Sequence, residues 1–212
     1  MEFIRVEAGS FLRGLKDNQH KVTLTNDYYI GKYPVTQAQW EKVMENNPSS
    51  FKGAYIPVQN VSWYDCQDFI QKLKETTGKN YRLASDAEWE FAARGGIFSK
   101  GYKYAGSDDL DTVAWFNNNS NEAAHPVGQK KPNELGIYDM CGNVLEWCND
   151  WHEEYISSDQ TNPTGPPEGD YRVFRGGCWY SVAEHCLLAY RSGGIPETWD
   201  YSLGFRLLYP LE

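Results

Sequence analysis

Beyond Gly96 helical periodicity vanishes, and Gly, Asn, Asp and Pro recur every few residues through to the C-terminus. Such punctuation permits only short strands joined by long loops. A helix bundle is thereby excluded, and the regular elements must come from the first part of the chain. From Phe3 to Arg13 and again from Lys21 to Tyr29, apolar and aromatic residues alternate with polar ones, with Gly9, Gly14 and the Asp17-Asn18 pair as turns. Three helix starts follow. Thr36-Gln37-Ala38-Gln39, Ser62-Trp63-Tyr64-Asp65 and Ser85-Asp86-Ala87-Glu88 each set a hydroxyl three residues ahead of a side chain able to reach back to it. Trp40, Val43 and Met44 continue the first helix, which closes before Pro48. The second carries Trp63, Cys66, Phe69, Ile70 and Leu73 up to Gly78, and the third carries Trp89 and Ala92 before Gly95-Gly96. Strands, helices and a loop-rich half, in that order, make an α+β pattern rather than alternating βαβ units. One domain spans residues 1–212, without linker, internal repeat or Gly-rich phosphate loop.

Composition narrows the partners. The 8 Trp, 15 Tyr and 9 Phe suit short elements held by aromatic anchors. A formal net charge of -9 argues against a generic nucleic-acid binder, which would concentrate Lys and Arg; the acidity reads as solubility. Five cysteines, scattered and odd in number, define no disulfide framework. No apolar run is long enough to cross a bilayer. Met1 leads directly into Glu2-Phe3-Ile4-Arg5-Val6 with no basic and apolar leader, so the expectation is either a cytosolic chain or one whose export signal lies outside this sequence.

Several segments carry a family resemblance: Ile30 to Thr36, Pro57 to Trp63, Tyr81-Arg82-Leu83 through Glu88 to Gly95, Asn133 to Asp139, Gly142 to Trp147, and Arg175-Gly176-Gly177 with Leu203 to Arg206. In this order they resemble the sulfatase-modifying, formylglycine-generating-enzyme family. The resemblance implies a C-type-lectin-like fold, with two helices packed on short antiparallel strands and long loops. Trp89, Trp147 and Phe205 read as core.

Fold does not carry activity with it. Enzymes of the family oxidise a substrate cysteine with two copper-binding cysteines five residues apart, shortly after the Gly-Gly pair. Here the second position is Cys186, but the first is Ser181, a hard and poor ligand for copper(I). Cys178 could replace it only with a different geometry, and a buried structural thiol is the preferred reading. The related sulfoxide synthases bind iron through histidines; His20, His125, His152 and His185 lack metal-ligand spacing. No nucleophile elbow supports a Ser/His/Asp triad, and Asp150, Glu153 and Glu154 read as a solvated acidic loop. A non-enzyme without a catalytic cofactor is expected.

The resemblance also implies a structural calcium held by Asp139, Gly142, Val144 and Glu146, through backbone oxygens of the middle two and side-chain oxygen of Glu146. Asp139 stands where the family often has Asn. The competing reading pairs Glu146 with an arginine and closes the loop without metal.

The stretch from Gly176 to Arg206 is further similar to the hypervariable region, here about 175–206, of variable proteins diversified by retroelements, in which adenines of Asn-like codons are scrambled. Trp179, Ala183, Cys186, Ala189, Arg191, Pro196, Gly204, Phe205 and Arg206 match the framework. The candidate variable positions are Tyr180, Ser181, Val182, Tyr190, Ser192, Gly193, Gly194, Ile195, Thr198, Asp200, Tyr201 and Ser202. None is Trp, Lys, Gln, Met or Glu, which scrambling the adenines of an AAC codon cannot produce. Their Tyr, Ser and Gly content matches antibody binding loops. The resulting expectation is a monomeric, lipid-anchored cell-surface protein that binds an unidentified protein or cell-surface ligand. The alternatives are a copper-dependent oxidase of sulfatase cysteines and a structural adaptor of the same fold.

Overall fold

A computed structural model describes residues 1–14 and 19–211; the Asp17-Asn18 turn lies outside them. The chain opens with β1 (Phe3–Val6), β2 (Gly9–Arg13), β3 (His20–Leu24) and β4 (Tyr28–Gly31), then α1 (Gln37–Met44) and α2 (Trp63–Thr77). After β5 (Arg82–Leu83) come α3 (Asp86–Ala93) and the single turn α4 (Leu110–Val113). The loop-rich half contributes β6 (Leu145–Trp151), β7 (Gln160–Thr161), β8 (Arg172–Arg175), β9 (Arg191–Gly194), β10 (Leu203–Phe205) and β11 (Leu207–Pro210).

All three anticipated capping boxes form. Thr36, Ser62 and Ser85 accept from the backbone N–H three residues on, and Gln39, Asp65 and Glu88 reach back to the cap. Each satisfies two N–H groups that a helix start leaves without partners. Gly78, at φ 73°, ends α2 in the left-handed conformation glycine adopts without strain.

One sheet runs β1-β4-β11-β5, all antiparallel, and joins the two ends of the chain: Ile30 pairs with Ile4 on one side and Leu208 on the other. A second runs β10-β6-β8-β9, a third β2-β3-β7. The expectation of antiparallel strands holds for most pairs, but β10 runs parallel to β6 and β3 parallel to β7. Loops long enough to bring distant segments into one direction make this feasible. Trp40 of α1 stacks on Phe69 of α2 at 5.3 Å and meets the edge of Phe205 on β10. Trp89, Trp147 and Phe205 are core, as the sequence implied.

A charged cluster lies inside this core. Asp86 and Glu90, one turn apart on α3, face inward and are fully buried. Asp86 meets Arg175 of β8 at 2.6 Å, Arg13 of β2 at 2.5 Å and Arg191 of β9 at 2.9 Å. Glu90 pairs with Arg175 and with Arg94. Burial alone would raise the Asp86 carboxyl, but the guanidiniums of Arg175, Arg13 and Arg191 outweigh it and hold it well below the usual carboxylate range. Removing one partner from such a pair strands a buried charge and costs about 3–5 kcal/mol. The cluster therefore locks β2, α3, β8 and the start of β9 together beneath the C-terminal stretch.

Candidate ligand-binding face

The segment after β9 is tied down from below. The Trp63 N–H donates to the Pro196 carbonyl and the Asn60 N–H to that of Asp200, each at 3.0 Å, so the turn from Ile195 to Asp200 sits on the N-terminus of α2. Asp200 Oδ1 accepts both the amide and the hydroxyl of Ser202, and the Ser202 carbonyl accepts from Leu145 of β6. Above this frame Tyr180, Val182, Ile195 and Tyr201 are exposed. Tyr180 and Tyr201 come together with ring centroids 5.8 Å apart, both against Trp179, which in turn rests on Phe51.

The twelve candidate positions do not share one environment. Tyr190, Ser192, Thr198 and Asp200 are half-buried, and Tyr190 stacks on His185. Ser181 and Ser202 are buried, which corrects their assignment to the displayed face: each hydroxyl is used inside, by Cys178 and by Asp200. Gly193 and Gly194 lie on β9 against their neighbours. A Cβ on Gly193 would stand 3.1 Å from His152 Cβ, and one on Gly194 3.3 Å from the Trp147 ring, so a side chain at either requires its neighbours to shift by a few tenths of an ångström. Conversely, Trp199, outside the twelve, is 68% exposed and is the largest ring on the face. It sits between half-buried Thr198 and Asp200, and nothing in the spacing of the sequence marks it out.

The position matching the first copper cysteine holds a hydroxyl set for structure. Ser181 Oγ accepts from the Cys178 N–H at 2.9 Å and lies 3.3 Å from its Sγ. Cys178 and Cys186 are buried and unpaired, and burial pushes both thiols up, away from the thiolate that copper(I) requires. The residues present do not fit the family's copper pair. Hollows of about 400 and 260 Å³ are lined around Arg82 and Asn162, and around Arg13 and Tyr155; neither includes Cys178, Ser181 or Cys186.

At the calcium positions, Glu146 Oε2 accepts from Trp89 Nε1 at 2.7 Å and from Arg206 Nε at 3.0 Å, while Oε1 accepts from Arg206 Nη2 at 2.8 Å. Arg206 also donates to the carbonyls of Gly31 and Tyr138. A cation there would face a guanidinium, so these side chains fit closure of the Gly142–Val144 loop without metal better than a dication. Asp139 is buried and accepts from Gly128; burial pushes its carboxyl up to about 6. Among the described residues no three His, Cys, Asp or Glu side chains are grouped to hold a metal. The acidic-loop reading needs a correction too. Glu153 and Glu154 are exposed, but Asp150 is buried, accepts the Asp86 N–H at 2.9 Å, and is pushed up to about 7 by burial and by Asp86.

Residues 1–210 match the sulfatase-modifying factor enzyme 1-like domain. The chain belongs to this family. Within it, the chain is 37% identical over 240 residues to Chaperone protein LppX of Paenibacillus barcinonensis, covering 89% of this chain and 82% of that protein. It is 33% identical to the serine/threonine-protein kinase Pkn1 of Chlamydia trachomatis across 97% of this chain, but spans 38% of the kinase. It is also 37% identical to the formylglycine-generating enzyme of Streptomyces coelicolor across 71% of this chain, spanning 51% of that enzyme. Among solved structures, Treponema denticola variable protein 1 matches with a TM-score of 0.93 at 31% identity, covering 99% of this chain and 95% of that one. The fold is thus the formylglycine-generating-enzyme type of the C-type-lectin-like fold. The chain's relatives include proteins named as enzymes and one named as a variable protein. No helix among the described residues is long and apolar enough to cross a membrane.

Proposed function

We propose that this chain is a non-catalytic ligand-binding protein whose working surface is the aromatic face from Tyr180 to Tyr201, diversified by a retroelement and displayed at the cell surface through a lipid anchor. The observation that carries the reading is the split between exposed Tyr180, Val182, Ile195 and Tyr201 and the hydrogen-bonded frame of Ser202, Pro196 and Asp200 beneath them. Such a frame accepts new side chains above without repacking the core, and Tyr offers large contact area at low entropic cost. The likeness to Treponema denticola variable protein 1 over nearly the whole chain supports the same reading.

The family's enzymes supply the second reading, a copper-dependent oxidase of sulfatase cysteines with Cys178 and Cys186 as a shifted ligand pair. Ser181, spent on Cys178, counts against it. Competition of the reduced protein against a chromophoric copper(I) chelator, beside Cys186→Ser, separates the two. The binding-protein reading expects no difference between them; tight, stoichiometric binding lost in Cys186→Ser would sink it.

A further inference from the structure

Every lysine of the chain lies at or before Lys131. Up to that residue sixteen bases meet sixteen acids; from residue 132 onward four arginines meet thirteen acids, so the whole net charge of -9 resides in the C-terminal segment that carries the face. Those arginines are all engaged. Arg175 and Arg206 are buried in ion pairs, Arg191 pairs with Asp86, and Arg172 lies between the rings of Trp63 and Trp151 at 4.0 and 3.5 Å. Glu153, Glu154, Glu168, Asp170, Glu184 and Glu197 are exposed.

The same segment carries exposed rings. Tyr180, Val182, Ile195, Trp199 and Tyr201 supply five of the fourteen large hydrophobic side chains exposed among the described residues. Exposed Tyr64 follows Trp63, whose N–H donates to the Pro196 carbonyl, and exposed Tyr171 stands beside Gly193. Ring faces attract ammonium and guanidinium groups through their quadrupole, most strongly for Trp. Glu184, two residues from Val182, and Glu197, two residues from both Ile195 and Trp199, add coulombic attraction, and apolar side chains accept the methylene stems of Lys and Arg.

Resting on the binding-face reading above, we infer that the partner is a basic protein segment presenting several Lys or Arg side chains. Tyr64, Tyr171, Glu184, Glu197 and Trp199 all lie outside the candidate variable positions. The class of partner is therefore set by fixed residues, and diversification at Tyr180, Ile195 or Tyr201 selects among basic sequences.

The test uses the full chain and two fluorescein-labelled peptides, octaarginine and octaglutamate, followed by anisotropy. Octaarginine binds saturably, and raising NaCl from about 50 to about 500 mM weakens it at least about tenfold as the charges are screened. Trp199→Ala and the Glu184→Gln/Glu197→Gln pair each weaken it about tenfold, Asp108→Asn/Asp109→Asn leaves it unchanged, and octaglutamate does not bind. Octaarginine binding that is indifferent to Trp199→Ala and to the Glu184/Glu197 pair overturns the inference, as does binding of neither peptide. If octaglutamate binds and Tyr180→Ser abolishes it, the face still binds ligands and only the basic partner is refuted. If octaarginine binding ignores Tyr180→Ser and Tyr201→Ser as well, the binding-face reading falls with it.

Discussion

Ser202→Tyr and Tyr201→Asn change adjacent residues and separate the frame from the face. Ser202 is 1% exposed, and its amide and hydroxyl both donate to Asp200 Oδ1, at 2.8 and 2.5 Å. Loss of the hydroxyl bond to a carboxylate costs about 1.5–3 kcal/mol, and forcing a ring into the filled space adds about 1–3 kcal/mol. The expected destabilisation is therefore roughly 2.5–6 kcal/mol. Tyr201 is 45% exposed, so truncating it forfeits about half of a ring's burial, roughly 1 kcal/mol. For a chain of this size each kcal/mol moves Tm by about 2–4 °C, which puts the two variants about 10 °C and about 3 °C below the parent. Thermal and urea unfolding followed by near-ultraviolet circular dichroism read both shifts. If Ser202→Tyr unfolds within about 1 kcal/mol of the parent, the frame does not exist as described and residue 202 belongs with the displayed positions.

Other outcomes follow from the buried charges. Arg206→Met strands Glu146 and is expected to cost about 3–5 kcal/mol, with Glu146→Gln in the same chain recovering part of the loss; an Arg206→Met protein as stable as the parent in urea contradicts the pairing. Calcium at about 1 mM, enough for all but the weakest sites, should leave the parent Tm unchanged, whereas a rise of several degrees would show that the Asp139 to Glu146 loop holds the ion after all. Asp150, raised to about 7, and Asp139, raised to about 6, hold their protons in the folded state at pH values where the unfolded chain has released them. Stability from these groups is thus lost as pH rises from about 4 to 7. Asp150→Asn keeps the acceptor for Asp86 and should flatten that decline in urea midpoints measured from pH 5 to 7.5; an unchanged slope would refute the assignment.

The sequence carried the local features plainly. Capping boxes at Thr36, Ser62 and Ser85 are contained in four consecutive residues each, and the periodic apolar face of α2 needs no distant partner to be recognised. The family fold followed from ordered segments across the chain. Long-range arrangements were not legible: Asp86 and Glu90 look like ordinary residues of a helix until Arg13 and Arg175 arrive from strands far away in sequence. For the same reason Asp150 resembled a solvated acid, though its carboxyl oxygen accepts a buried N–H. Within the face, spacing alone could not tell Tyr201, which points out, from Ser202, which turns in to Asp200, nor single out Trp199 as the most exposed ring. Alternation in an irregular loop has no fixed period, so burial there is decided by individual hydrogen bonds.

Sequencing the coding region for residues 175–206 across independent isolates decides whether a diversified surface stands on a constant frame. The binding-face reading predicts substitutions concentrated at Tyr180, Val182, Ile195 and Tyr201, with Trp179, Pro196, Trp199, Asp200, Ser202 and Arg206 unchanged. Substitutions scattered evenly through the stretch, or an invariant stretch in every isolate, would contradict it.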